Sequence, residues 1–67
     1  MSRSDYERIA AVMSWSLAYA DRCSTEAERT CARAAVAAAI HGLAESFALD
    51  NPRFDRARFV GACTVAS

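Results

Sequence analysis

The segment from Asp50 to Cys63, with the sequence DNPRFDRARFVGAC, constrains the fold more than any other part of the chain. Pro52 cannot donate a backbone N–H and pushes the residue before it out of the helical conformation, so a preceding helix must end here. Asn51 is a suitable residue for capping that helix end. The segment therefore predicts a sharp corner between two helices.

A new helix is specified directly after this corner. Asp55 can accept hydrogen bonds from the free N–H groups of the following turn, as an N-cap residue does. Phe54 and Phe59 stand at the two positions around such a cap where apolar side chains pack together as a hydrophobic staple. These signals predict a short helix over residues 56–63.

The first helix of the chain is predicted from a capping box, in which Ser or Thr is followed three residues later by Glu. Ser4 and Glu7 form this pattern and predict a helix over residues 5–21. Apolar residues recur here at the helical spacing of three and four, which marks the side that faces the core. This core stripe consists of Tyr6, Ile9, Ala10, Met13, Leu17 and Ala20.

The second helix begins with the same pattern, since Thr25 is followed by Glu28, and it is predicted to cover residues 26–49. Its core stripe is expected to consist of Ala32, Val36, Ala39, Ile40, Leu43 and Phe47. The opposite side is apolar as well and carries Ala27, Cys31, Ala34, Ala35 and Ala38. A helix that is apolar most of the way round is usually central in its fold or covered on a second side, and small residues let another helix approach closely. This alanine face is therefore a second candidate surface for self-association.

Together these signals predict an all-α fold, a single helical domain over residues 1–67 with a long helical hairpin and a short C-terminal helix. The second helix, at about 36 Å, is longer than the first, at about 26 Å, so its end projects beyond the start of the first. The third helix is expected to fold back over this end, with Phe54 and Phe59 packing near Phe47 and Tyr6.

Composition limits the classes of function. Eight arginines balance eight acidic residues, so the net charge of zero gives no support for general binding to nucleic acid or to a membrane surface. The N-terminus carries charges where a signal peptide would be apolar, and the most apolar run is too short to cross a bilayer. Three cysteines, an odd number, indicate free thiols in a reducing compartment. We therefore expect a soluble cytoplasmic protein.

One surface of the first helix has no structural explanation in this fold. At about 100° per residue, Val12, Trp15 and Tyr19 lie together on the side opposite the core stripe. Arg8 and Arg22 flank them along the same line. Trp, Tyr and Arg are enriched in binding hot spots, and a small monomer gains little by exposing them. This surface is therefore a homodimer interface, a face for a different protein, or a surface covered by the third helix or the C-terminal tail.

The size of the chain also favours a partner. A chain of 67 residues buries only about 60% of the surface that its unfolded form exposes, so it is marginally stable alone. Self-association is a common source of stability for folds of this size. We therefore expect a homodimer, a complex with another protein, or both.

Residues suited to catalysis or metal binding are sparse. Three cysteines and one histidine match the composition of a zinc site. Cys31 and His41, however, lie about 15 Å apart along one predicted helix, whereas the ligands of one zinc ion lie within about 2.3 Å of it. Spacing places no nucleophile beside His41. The sequence thus predicts no enzyme, no metal, no cofactor and no small-molecule substrate.

The arginines around the third helix are weak candidates for contact with nucleic acid. Arg53, Arg56 and Arg58 could bind phosphate groups, which would make the protein a small DNA-binding regulator. The predicted helix is short, however, and Asp55 can pair with Arg58 three residues on. This interpretation loses support if neighbouring carboxylates pair with these arginines, and nucleic acid is the less favoured partner.

Both ends of the chain carry a further pattern. Its residues are Asp5, Tyr6, Ile9 and Ala10 near the start, residues 51–59 with the sequence NPRFDRARF, and Ala62 and Cys63. In this pattern the chain resembles short proteins encoded by phages and prophages of actinobacteria. The resemblance implies a small accessory phage protein in the host cytoplasm that engages a host or phage protein. It supplies no catalytic or binding residues, and a structural component of the virion is the alternative.

Overall fold

The computed structural model describes residues 1–64, which form the α-helices α1 (Arg3–Ala20), α2 (Glu26–Asp50) and α3 (Arg56–Cys63). The predicted all-α fold with two long helices and a short third one is confirmed, and the described residues contain no strand. Within the same residues, no helix combines the length and the apolar character that crossing a membrane requires.

α1 begins earlier than its sequence pattern predicted, at Arg3. Its N-cap is Ser2, whose hydroxyl accepts a hydrogen bond from the backbone N–H of Asp5 at 3.3 Å. The Asp5 carboxylate accepts in return from the backbone N–H of Ser2 at 3.0 Å. The prediction that Ser4 and Glu7 form the capping box was wrong, because Asp at the third helical position serves this role as well as Glu. Glu7 instead forms an ion pair with Arg3 at 3.2 Å.

The other predicted caps are confirmed. At the start of α2, Thr25 Oγ1 accepts from the backbone N–H of Glu28 at 3.1 Å, and the Glu28 carboxylate accepts from the backbone N–H of Thr25 at 3.2 Å. Asn51 caps the end of α2. Asp55 starts α3 by accepting from the backbone N–H of Arg58 at 3.0 Å. These local bonds fix where α2 and α3 begin and therefore where the chain turns.

The connection between α1 and α2 is held by arginines of α2. The guanidinium of Arg29 donates to the backbone carbonyl oxygen of Cys23 at 3.0 Å. Arg33 pairs with Asp21, the residue that caps the end of α1, at 2.9 Å. These contacts tie the short connection to the first two turns of α2.

An aromatic cluster of Tyr6, Phe47, Phe54 and Phe59 joins the three helices. The centroids of its contacting rings lie between 4.8 and 5.6 Å apart. The contact of Phe54 with Phe59, at 5.6 Å, is the predicted hydrophobic staple. As predicted, the chain folds back at Pro52, and α3 packs over the end of α2 beside the start of α1.

The remainder of the core has Ile40 and Cys63 at its centre, which are 1% and 0% exposed, beside the buried Ala10 and Ala44. Larger half-buried side chains such as Leu17 and Leu43 pack against it. All residues of the predicted α1 core stripe are buried or half-buried. On α2 the predicted stripe was wrong at one position, because Ala39 is exposed while Ala44 is buried. The buried face of α2 is centred on Ile40 and turns toward Ala44 rather than toward Ala39.

The second apolar side of α2 is not covered by any element within the described residues. Ala27, Cys31, Ala34, Ala35 and Ala38 are all exposed. Within residues 1–64 this alanine face is therefore open, and its use in self-association stays a prediction.

Candidate protein interface

The surface that the sequence singled out on the first helix is open in the structure. The side chains of Val12, Trp15 and Tyr19 are 56%, 65% and 56% exposed, and α3 does not cover them. Arg8 and Arg22, at the two ends of the same line, are also exposed. We call these residues the α1 stripe. The C-terminal tail was the other candidate cover, and its residues 65–67 lie outside the described part of the chain.

The α1 stripe lies outward because the opposite side of the helix is committed to the core. Tyr6 contacts the aromatic cluster, Ala10 is buried, and Leu17 packs against the same core. With about 3.6 residues per turn, the residues between these positions must point away from α2 and α3. The predicted placement of the stripe follows from this spacing.

Three side chains of the stripe are already stacked on one another. The rings of Trp15 and Tyr19, one helical turn apart, have centroids 5.2 Å apart and planes inclined by 31°. The guanidinium carbon of Arg22 lies 5.6 Å from the centroid of the Tyr19 ring, within the range of a cation–π contact. Because these side chains already contact one another, binding loses less side-chain entropy than it would for isolated side chains.

The two arginines of the stripe take no part in the ion pairs that the described residues form. Those pairs join Arg3 to Glu7, Arg33 to Asp21, and Arg56 to Glu45. Asp21, the acidic neighbour of Arg22 in the chain, is thus bound to an arginine of α2. Arg8 and Arg22 therefore present positive charge at both ends of an apolar centre.

Two shallow grooves lie beside parts of the stripe. The first groove, at the start of α1, is lined by Met1, Asp5, Arg8, Ile9 and Val12. The second groove is lined by Trp15, by Glu7 and by the small side chains of Ala10, Ala11, Ser14, Ala18 and Ala62. Hollows beside projecting side chains are the surface relief by which helices pack against one another.

Asp5 places a carboxylate in the first groove. Hydrogen bonds from the backbone N–H and the hydroxyl of Ser2 hold the pKa of Asp5 below its usual value, and the charges of the N-terminal ammonium and of Arg8 add to the effect. Both hydrogen bonds go to Oδ2, at 3.0 and 3.1 Å. No hydrogen bond within the described residues uses Oδ1, so this oxygen is available to a donor from outside.

Sequence reasoning missed both grooves and Asp5. The grooves depend on where the chain start and Ala62 of α3 lie relative to α1, which helical spacing alone does not give. The small residues Ala11, Ser14 and Ala18 beside Trp15 were the signal that a hollow could form there.

The structure does not bring the three candidate nucleic-acid arginines together as a free basic face. Arg56 is paired with Glu45 at 2.6 Å. Arg53 and Arg58 line a separate hollow between α1 and α3, above the aromatic cluster. The predicted pairing of Asp55 with Arg58 occurs through the Arg58 backbone N–H and not through its guanidinium. The pairing of Arg56 removes one of the candidate phosphate contacts, which weakens the interpretation as a DNA-binding regulator.

The groups that could support other chemistry are dispersed. Cys23, Cys31 and Cys63 are free thiols, half-buried, exposed and buried respectively. His41 is exposed on α2. Across residues 1–64, no three His, Cys, Asp or Glu side chains converge as the ligands of a metal ion would.

Comparison with models of protein families, with curated proteins and with solved structures gives no match to this chain. The resemblance of both chain ends to short actinobacterial phage proteins stays a prediction. Function must therefore be inferred from the exposed surfaces of the chain itself.

Proposed function

We propose that this protein is a small accessory protein of the type encoded by actinobacterial phages, acting in the host cytoplasm by binding protein through the α1 stripe, and that it forms a homodimer. The observation that carries the proposal is the exposure of Trp15, at 65%, at the centre of the α1 stripe, with its ring against that of Tyr19. The stripe contributes nothing to the core of the single chain, whereas its composition matches that of binding hot spots.

The stripe offers apolar surface whose burial favours pairing. Val12, Trp15 and Tyr19 are each more than half exposed, so a second copy that covers them removes their apolar surface from water. Association costs about 4–15 kcal/mol in lost freedom, so we expect a reversible pairing that depends on protein concentration.

A second copy is favoured as the occupant because the fold itself is marginal. The most buried side chains of the described core are one isoleucine and one cysteine, Ile40 and Cys63. A core of this size gives little stability, and self-association is a common source of additional stability for small folds.

The test is the solution mass of the wild-type chain and of Trp15→Ala, measured by light scattering and sedimentation equilibrium over a range of concentrations. We expect the wild type to approach twice the chain mass of 7.2 kDa and Trp15→Ala to remain a monomer. Leu49→Ala is the matched control, since Leu49 is 86% exposed on α2, outside the stripe. It should associate as the wild type does.

Two results would contradict the proposal. A folded Trp15→Ala variant with undiminished association would show that the stripe is not the interface. A wild-type chain that stays monomeric at the highest concentration the measurement can reach would rule out the homodimer and leave a different protein as the partner of the stripe.

A further inference from the structure

We infer that a second copy lies antiparallel on the α1 stripe, in the register that sets Trp15 opposite Val12 of the second copy and Arg22 opposite Asp5 of the second copy. The inference rests on the proposed self-association and adds its geometry. It also gives Asp5, which lies outside the stripe, a role in selecting the partner.

The charges of the stripe select the antiparallel direction. In a parallel two-fold pair, Arg8 would face Arg8 of the second copy and Arg22 would face Arg22 of the second copy. Neither arginine has an ion-pair partner among the described residues, so the like charges would repel each other at both ends. An antiparallel pair avoids both contacts in a suitable register.

The charges also select the register among antiparallel pairs. A pair centred on Trp15 would set Arg8 against Arg22 of the second copy, again a like-charge contact. Sliding one helix by about 4.5 Å, three residues, brings Arg22 beside Asp5 of the second copy and Trp15 beside Val12. Because the relation is two-fold symmetric, each of these contacts occurs twice.

Sliding in the other direction is less favourable. It would set Trp15 against Tyr19 of the second copy and would press Arg22 against Val12 of the second copy. A guanidinium would then lie on an apolar side chain without a carboxylate to pair with. In the first register each Arg22 gains a carboxylate, and each Arg8 lies against the Tyr19 ring of the second copy, which can form a cation–π contact as valine cannot.

The surface of the chain has a matching shape at the position this register requires. The end of the second α1 that carries Tyr19 and Arg22 would arrive over the groove lined in part by Met1, Asp5 and Val12. The free Oδ1 of Asp5 faces no hydrogen-bond donor within the described residues, since both bonds from Ser2 use Oδ2. It can accept from the guanidinium of the incoming Arg22 without loss of the helix cap.

Charge reversal with mixing tests this geometry. Arg22→Glu and Asp5→Arg each create two like-charge contacts in their own homodimers, so each should dimerise about tenfold more weakly than the wild type, or worse. An equimolar mixture should recover association. In the mixed dimer the introduced glutamate of one variant faces the introduced arginine of the other, while the native Asp5 of the first variant faces the native Arg22 of the second. The dissociation constants are measured by sedimentation equilibrium.

Two further variants serve as controls for the charge-reversal experiment. Arg53→Glu is the matched charge-reversal control, since Arg53 is exposed, lies off the stripe and forms no ion pair in residues 1–64; it should dimerise normally. Asp5→Asn keeps an oxygen that can accept from the Ser2 N–H but removes the charge, so it should weaken the dimer severalfold while retaining wild-type helicity by circular dichroism.

The possible outcomes test the proposed register and the proposed homodimer separately. The register is supported if each single variant dimerises weakly and association recovers only in their mixture. If both single variants dimerise like the wild type, or if both are weak and the mixture is no stronger, the register is wrong while wild-type dimers still stand. A wild-type chain that never dimerises overturns the proposed homodimer itself.

Discussion

The three cysteines have different environments in this fold. Cys63 is fully buried at the end of α3, Cys31 is exposed on the alanine side of α2, and Cys23 is half-buried between α1 and α2. Burial also raises the pKa of the Cys63 thiol, which reduces its reactive thiolate form. The sequence predicted three free thiols but gave no means of ranking them.

We expect alkylation to rank these thiols. Treatment of the native protein with N-ethylmaleimide should modify Cys31 rapidly and leave Cys63 unmodified, as read by mass spectrometry of peptides. The same reaction in denaturant should modify both and serves as the control. Equal rates at Cys31 and Cys63 in the native protein would contradict the buried position of Cys63.

Asp5 provides a prediction about pH. Hydrogen bonds from Ser2 lower its pKa in the folded protein below 3.8, so folding favours the carboxylate form. The resulting stability is fully present above about pH 4 and is lost as the pH falls through the lower folded-state value. Denaturant titrations should therefore show the advantage of wild type over Asp5→Asn shrinking between about pH 6 and about pH 3. A constant difference over this range would contradict the assignment.

At the level of elements, the caps decide where each helix begins. The starts of α2 and α3 were predictable because one residue at each carries the full signal: Thr25 has Glu28 three positions on, and Asp55 stands between the staple residues Phe54 and Phe59. The start of α1 was misplaced because Ser2 and Ser4 both stand before an acidic residue three positions on, and only the folded chain shows which one is used. Ala39 was misplaced for a related reason, since alanine on all sides of α2 carries no directional signal.

Removal of the α3 cap should have a measurable cost. Asp55→Ala deletes the acceptor for the backbone N–H of Arg58 and should lower the free energy of unfolding by about 1 kcal/mol, measured by urea denaturation. Asp50→Ala is the control, because a negative charge at the C-terminal end of α2 opposes the helix dipole and its removal should not destabilise. A loss of the same size at Asp50 would contradict this account of the cap.

At the level of the whole molecule, one aromatic cluster joins the start of the chain to its last helix. Within this cluster, Tyr6 of α1 and Phe59 of α3 both contact Phe47 of α2. Its position was predictable, since hairpin lengths and the Pro52 corner place those rings together. The α1 stripe was also predictable because Trp and Tyr at helical spacing give a strong signal. The role inferred for Asp5 required the packed structure.

Phe47→Ala should leave the chain largely unfolded. Deleting a buried phenylalanine costs about 3–5 kcal/mol, and a domain of this size has little more than about 5 kcal/mol to lose. We expect the cooperative thermal transition, followed by circular dichroism, to disappear. Leu49→Ala, two residues along the same helix at an exposed position, should melt like the wild type, and an equal loss there would contradict the role of the cluster.

The chain has one tryptophan, and it belongs to the α1 stripe rather than to the core. The indole of a folded single chain therefore stays in contact with water, and its emission should change when the stripe is covered. Far-ultraviolet dichroism, by contrast, follows the helices. A single dilution series read in both signals would separate association from folding, so the protein contains its own optical reporter of partner binding.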